Sequence, residues 1–280
     1  MYWIIPFASA AAGPAVPAAA TTFFQIGPLP VTSSMLALWG VALGILLVVT
    51  MGTRKMELIP SGAQNFVEAV VDSVQGMIAG LLEPKVVRWA FPLIATYFIF
   101  IAISNLVDLL PGVGSFGYGH AVDGGLPFAV DHVERPFLRP PTADVNLTIA
   151  MAVIYFVMST LWAIWYNGPI GLIKHIFGVK GKMGGFLLLP MAVIFFVVGL
   201  VEVISILIRP VSLSMRLFGN IYGGESVLTQ MLKMLPFGLA AVPFYFLELI
   251  VCLVQAIVFT MLCVAFTATL CSHSEEEGGH

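Results

Sequence analysis

What this chain has least of is charge. Only 10% of its 280 residues are Asp, Glu, Lys or Arg, against about 25% in a soluble domain. Residues 1–53 carry none. Fifteen acidic side chains against twelve Lys and Arg leave a net charge of −3, which provides no basic surface for nucleic acid. Cysteine is also scarce. Cys252, Cys263 and Cys271 fall in one apolar run with no CxxC, so they read as small core residues and not as a disulfide framework or ligands. No two of the five histidines stand at metal-ligand spacing. HExxH and GxGD are both missing, which argues against a protease working inside the membrane. GxxxxGK[ST] is missing too, so the chain has no nucleotide site of its own. No metal and no cofactor is expected.

What the chain has instead is apolar length, with 59% hydrophobic residues. The fold class that follows is all-α and polytopic, with about five membrane helical runs and one surface helix. The first run is Met35 to Gly52, close to the ~20 residues a bilayer needs, and Arg54 and Lys55 stop it. Gln64 to Leu82 is amphipathic. Phe66, Val67, Val70, Val71, Val74, Met77, Ile78 and Leu81 form one stripe, with Asn65, Glu68, Asp72 and Gln75 opposite. Trp89 to Leu110 is the second run, ending at Pro111 and Gly112. Residues 113–142 read as a long extramembrane loop holding Arg135 and Arg139. The third run, Val145 to Tyr166, closes on Trp162, Trp165 and Tyr166, an interfacial aromatic belt. The fourth, Phe186 to Leu235, is too long to cross perpendicularly, so it is tilted or broken, with Pro190 and Pro210 as possible bends. The fifth is Phe237 to Cys271.

Three segments result: an exported, flexible stretch over residues 1–34, one membrane domain over 35–271 and an acidic tail over 272–280. A secretory signal needs a basic n-region, which is absent, so an uncleaved N-terminus outside the membrane is expected. With that start, Arg54, Lys55, Lys85, Arg88, Lys174, Lys180 and Lys182 are cytoplasmic. Arg135, Arg139 and Lys233 are external, and Arg209 and Arg216 lie within the membrane. That bias obeys the positive-inside rule and sends the C-terminus to the cytoplasm.

The charges that matter most lie in VEVISILIRPVSLSMRLFGNIYGGE, from Val201 to Glu225. A charged group at bilayer depth costs a few kcal/mol at least, so it faces a partner or water and marks an ion path. On a helix, Glu202, Arg209 and Arg216 recur every seven residues on nearly one face. Glu225 is roughly opposite and about 13 Å further along the axis, so it forms no i,i+4 bridge with Arg216. Ser212, Ser214, Gly219, Gly223 and Gly224 are small enough for another helix to approach closely. The competing bland reading is a core helix whose charges pair locally.

SLSMRLFGNIYGGE resembles the signature segment of the subunit a family of F-type ATP synthases. Further similar stretches are PLIATYFIFIAISNLVDLLPG (Pro92 to Gly112), PTADVNLTIAMA (Pro141 to Ala152) and LVQAIVF (Leu253 to Phe259). They follow in order over roughly residues 55–275. The resemblance implies a non-catalytic stator subunit in a bacterial inner membrane. Its partners would be a rotating ring of subunit c, the peripheral-stalk subunit b, the rest of the complex and lipid. The region 186–271 would form a tilted hairpin wrapped on that ring.

On this resemblance, Arg216 faces the ring and strips protons from passing carboxyls. Glu225, Glu248, Asn220, Gln255, Asn146, Asp144 and Asn105 would line an external half-channel. Gln255 would hold the arginine. Glu202 and Ser205 would line the cytoplasmic half-channel, with Ser212 counted among the path residues. Arg209 is expected to anchor at the cytoplasmic interface. Two alternatives are a sodium-translocating version of the same subunit and a standalone secondary transporter. No internal repeat supports the latter.

Overall fold

The computed structural model describes residues 3–4, 22–26, 29–54, 56–110, 117–121, 130–136, 139–177, 188–234 and 241–271. The Ala/Pro-rich stretch 8–20, Lys55, Lys180, Lys182 and the tail 272–280 lie outside them. Six α-helices follow one another: α1 (Ser33–Thr53), α2 (Ala63–Ala79), α3 (Pro84–Asp108), α4 (Val145–Phe177), α5 (Leu188–Met234) and α6 (Ala241–Cys271). All but α2 are long and apolar enough to cross a membrane. The all-α, polytopic class therefore holds.

Short strands outside the helices are an addition that the sequence reading did not contain. β1 (Trp3–Ile4), β4 (Gly117–Ala121) and β5 (Val130–Pro136) form one antiparallel sheet in the order β1-β4-β5. β2 (Thr22–Ile26) and β3 (Leu29–Thr32) form a hairpin that leads into α1, where the Thr32 hydroxyl caps the helix by accepting from the Met35 amide at 3.4 Å. So part of the expected loop 113–142 is a β-hairpin.

The amphipathic helix α2 packs on α1 and α3 through Val74 and Ile78, both fully buried. Phe66 and Leu81, at the edges of the predicted stripe, stay exposed instead. Gln64 folds back on the turn before the helix. Its amide accepts from the Glu57 N–H (3.1 Å) and donates to the Glu57 carbonyl (2.9 Å) and the Glu68 carboxylate (2.7 Å).

α4 is two helices joined across Gly168, whose φ of 74° lies in the left-handed region that suits glycine. Pro169 follows and restarts the helix with a preset φ. The predicted third run thus ends where expected, but the helix resumes for another turn or two.

α5 is continuous for 47 residues despite Pro210. At 1.5 Å per residue that is about 70 Å, more than twice a ~30 Å hydrocarbon core. Of the two options left open by the sequence, a break is not found: the described residues form one unbroken helix.

The core sits where α3, α4, α5 and α6 meet. Trp162, Phe259, Ile94, Ile101, Leu217, Ile221 and Val264 are its largest fully buried side chains there. Lipid tails are as apolar as these groups, so burial alone gives little drive, and close packing with interhelical hydrogen bonds must hold the bundle. The Tyr155 hydroxyl on α4 bonds the Cys263 carbonyl and the Thr267 hydroxyl (2.8 Å) on α6. Ser214 on α5 meets Thr148 on α4 at 3.2 Å. The three cysteines are buried and unbridged, as small core residues should be.

The end of α4 comes closest to α5 at Gly199. A Cβ there would stand 2.5 Å from the Phe177 ring and 2.8 Å from the Ile176 carbonyl oxygen. The carbonyl belongs to backbone and cannot swing away, so Gly199→Ala must push the end of α4 off α5. We expect a loss of about 1–3 kcal/mol, as for overpacking in a filled core. Thermal unfolding of the purified protein in detergent measures it.

Candidate functional site

α5 presents two unlike faces. Leu213, Ser214, Leu217 and Ile221 turn inward at helical spacing and are buried. Ser212, Met215, Arg216, Gly219 and Asn220 turn outward and are exposed. The apolar residues on this outer flank are also uncovered, among them Ile204, Leu207, Ile208 and Val211. Only 6% of the apolar window of α5 is buried, against 39% for α3, α4 and α6. This helix is the one whose surface the chain leaves unfinished.

Arg216 stands on that flank, and no ion pair to it is found among the described residues. One turn on, the Asn220 side-chain amide donates to Gln255 Oε1 of α6 at 2.6 Å. Gln255 is buried, and its own Nε2 has no partner. Asn220 and Gln255 thus form a polar crosslink between α5 and α6 one turn from the guanidinium, with a donor to spare.

A cleft of about 380 Å³ opens beside this crosslink, lined by Gly219, Asn220, Gly223, Gly224, Leu247 and Glu248 among others. At about 30 Å³ per molecule it has room for several waters. Glu248 is buried, and its carboxylate fills the space that a side chain on Gly224 would need. The glycines therefore create both the cleft and the seat of the carboxylate. Glu225 follows Gly224 directly, with its Oε2 buried and unpaired, as is Oε1 of Glu248. Both carboxylates lie within electrostatic reach of Asp108 on α3.

The other predicted path residues are placed as follows. Asn105 on α3 is fully buried, where it accepts from Thr142 (2.9 Å) and donates to the Cys252 carbonyl of α6 (3.4 Å). Asp144 caps α4 by accepting from the Asn146 amide (2.9 Å), and its second oxygen accepts from Ser34 of α1 (2.5 Å). The Asn146 side chain is exposed. Ser205 and Ser212 are exposed on α5.

Glu202 and Arg209 do pair, at 3.0 Å, as their seven-residue spacing on one face allows. The Arg209 guanidinium also lies over the Phe266 ring of α6, 5.1 Å from its centre. Arg209 is therefore tied into the α5–α6 packing. Local pairing, the bland expectation for this helix, is right for Arg209 and wrong for Arg216.

Sequence reasoning missed two members of the neighbourhood. Asp108, one turn past Asn105, lies within the predicted second run, where it has no predicted role. Arg139 was counted as an external loop charge, yet it is 3% exposed. A carboxylate three residues after an intramembrane Asn was a usable signal for the first. Nothing local marked the second.

The seat of Glu248 gives a direct check. Gly224→Ala must move that carboxylate out of its place. We expect the displaced carboxylate to weaken the α5–α6 contact by about 1–3 kcal/mol, as for overpacking, read by thermal unfolding of the purified protein in detergent. Gly44→Ala, where a Cβ meets nothing within 4 Å, is the neutral control.

Comparison with known proteins agrees with this geometry. The family model described as ATP synthase A chain matches residues 35–268. ATP synthase subunit a of Moorella thermoacetica is 31% identical over 245 residues, covering 88% of this chain and 93% of the relative. ATP synthase subunit a of Trichlorobacter lovleyi is 35% identical over 228 residues, covering 81% and 82%. Subunit a 1 of Pelobacter propionicus gives the same identity and coverage. The match takes in all five apolar helices and every residue of the α5–α6 cleft, and on it the chain belongs to the family of ATP synthase subunit a.

Proposed function

We propose that this chain is the stator side of a proton path, working against a ring of subunit c and doing no phosphate chemistry itself. The observation that carries the reading is Arg216. It is a permanently charged group on an exposed, otherwise apolar helix flank, without an ionic partner among the described residues. A cation in that position is stable only if something polar or acidic meets it. A ring of subunits, each bringing one carboxyl, meets it in turn.

The guanidinium favours the ionised form of any carboxyl that passes, and surrounding lipid favours the protonated form. A carboxyl therefore releases its proton at Arg216 and keeps one elsewhere. The same charge blocks protons from crossing directly between the two sides. The Asn220–Gln255 crosslink, one turn away, holds this stretch of α5 against α6.

Two access routes are then required. With the N-terminus outside, the cleft with Glu248, Glu225 and Asn220 lies on the external half, and Asn105, Asp144, Asn146 and Gln255 extend its polar lining. Glu202, Ser205 and Ser212 belong to the cytoplasmic half, where Glu202 pairs with Arg209 and is about 41% exposed. The setting is a bacterial plasma membrane, with the C-terminus in the cytoplasm. The peripheral-stalk subunit b holds the chain still while the ring turns.

Arg216→Ala, tested in the whole complex in membrane vesicles, is expected to abolish ATP synthesis and ATP-driven proton pumping while the ring still co-purifies. ATP synthesis at the normal rate in that variant overturns the reading.

A further inference from the structure

Just beyond α1 the chain presents apolar side chains outward. Met56, Leu58 and Ile59 are all exposed, Ile59 to 84% and Leu58 fully. They lie between α1 and α2, outside any helix. An apolar residue exposed singly needs no explanation, but three within four consecutive positions at a loop tip mark a contact surface.

The tip is held from behind by Gln64, which is buried in the first turn of α2. Its side-chain amide accepts from the Glu57 N–H (3.1 Å) and donates to the Glu57 carbonyl (2.9 Å). One side chain thus satisfies both backbone polar groups of the residue between Met56 and Leu58. A loop in open water has no need of that, because water satisfies those groups. A loop entering lipid does need it, since an unpaired backbone group there is costly. Phe66, in the same first turn, is exposed too.

The surroundings identify what meets the tip. α1 is apolar enough to cross a membrane and ends at Thr53, so Leu58 lies five residues, or at most about 18 Å, from its end. α3 begins on the same side, because α2 between them is not a crossing helix. Near that start, Trp89 meets Trp165 of α4 edge to face, with ring centres 6.1 Å apart, and both rings are exposed. Exposed tryptophans at one end of membrane helices mark the boundary between water and lipid. Arg54, Lys85 and Arg88, which flank the tip and α2 in sequence, are exposed as well. They supply the positive charge that draws anionic headgroups.

We propose that Met56, Leu58 and Ile59 form a lipid anchor. The tip enters the headgroup–acyl boundary of an anionic leaflet, while Arg54, Lys85 and Arg88 are drawn to the phosphates. The anchor sets the height of α1 and α2 in the bilayer. It is independent of the proton path and holds whichever way up the chain lies.

The test uses the assembled complex in vesicles of phosphatidylcholine and phosphatidylglycerol. Ile59→Cys, Leu58→Cys and Asp72→Cys each carry an environment-sensitive fluorophore. Cys252, Cys263 and Cys271 are buried, and labelling without an added cysteine gives the background. Asp72 is exposed on α2 and serves as the aqueous reference. Iodide is present during vesicle formation so that it reaches both faces. The labels at residues 58 and 59 should lose emission to lipid brominated near the headgroup end of its acyl chains. They should lose less to lipid brominated at the methyl end, since such a tip sits about 5–10 Å deep, and hardly any to iodide. The label at residue 72 should respond to iodide alone. In vesicles of phosphatidylcholine only, the lipid quenching at residues 58 and 59 should fall. Iodide quenching at residues 58 and 59 equal to that at residue 72 overturns the anchor, and the tip is then a solvated loop. Protection from both quenchers overturns it as well, and a protein partner then covers the tip. Lipid quenching that is unchanged without phosphatidylglycerol overturns the role of the anionic headgroup.

Discussion

An ionised side chain far from water must be met by something, and the structure is arranged around that requirement. Arg209 is met by Glu202 and by the face of Phe266. Asp144 is met by Ser34 and by a backbone amide of α4. Glu248 is seated in a cleft roomy enough for water. Arg216 has none of these on a flank of exposed aliphatic residues. Leaving one member of a charged pair alone in an apolar setting costs several kcal/mol. An exposed cation on an otherwise apolar flank is the feature on which we base the proposal that another molecule completes this surface.

Small residues make that surface possible. Interhelical hydrogen bonds in membranes contribute roughly 0.6 kcal/mol each, so the Asn220–Gln255, Ser214–Thr148 and Tyr155–Thr267 contacts orient helices more than they hold them. Contact area does the holding, and it depends on how near the backbones come. Gly199 lets the end of α4 touch α5. Gly224 lets Glu248 lie against α5 instead of facing lipid. Gly219 and Gly223, with no atoms in the way of an added Cβ, widen the same helix into a cleft. In one helix, glycine closes one contact and opens another.

Much of this was legible in the sequence, for reasons that differ by element. The spans were readable because a bilayer imposes a length and a composition on any run that crosses it. The seven-residue recurrence of Glu202 and Arg209 was readable as one face, and the ion pair follows from it. The inward stripe of α2 was readable at Val74 and Ile78, but Phe66 lies near the start of the helix and Leu81 beyond its end, and both are exposed. Pro210 left the continuity of α5 open, because proline removes only one backbone bond and packing decides whether the helix bends. The strand pair β4–β5 was hidden because β4 is short and holds two glycines and β5 is charged with little alternation. Arg139 was hidden more thoroughly. Its neighbours in sequence are those of a surface loop, and the buried turn that follows it packs on α1, α3 and α5, which are distant from it in the chain, as well as on the adjacent α4.

On the proposed path, the pairing of Arg209 leaves Arg216 as the free cation on the exposed flank of α5. They are seven residues apart, so about 10.5 Å along α5. Two free positive charges at that distance repel by about 1.5 kcal/mol at an effective dielectric constant of 20. A passing acid would then meet a broad positive band instead of one site, and it would be held ionised over several steps of rotation. The Glu202 bridge removes that second charge within the helix itself. Phe266 then fixes the neutralised guanidinium in place, so it cannot swing toward Arg216. What remains on the exposed flank is one localised field at Arg216, which on the proposed reading is narrow enough to act on one carboxyl at a time.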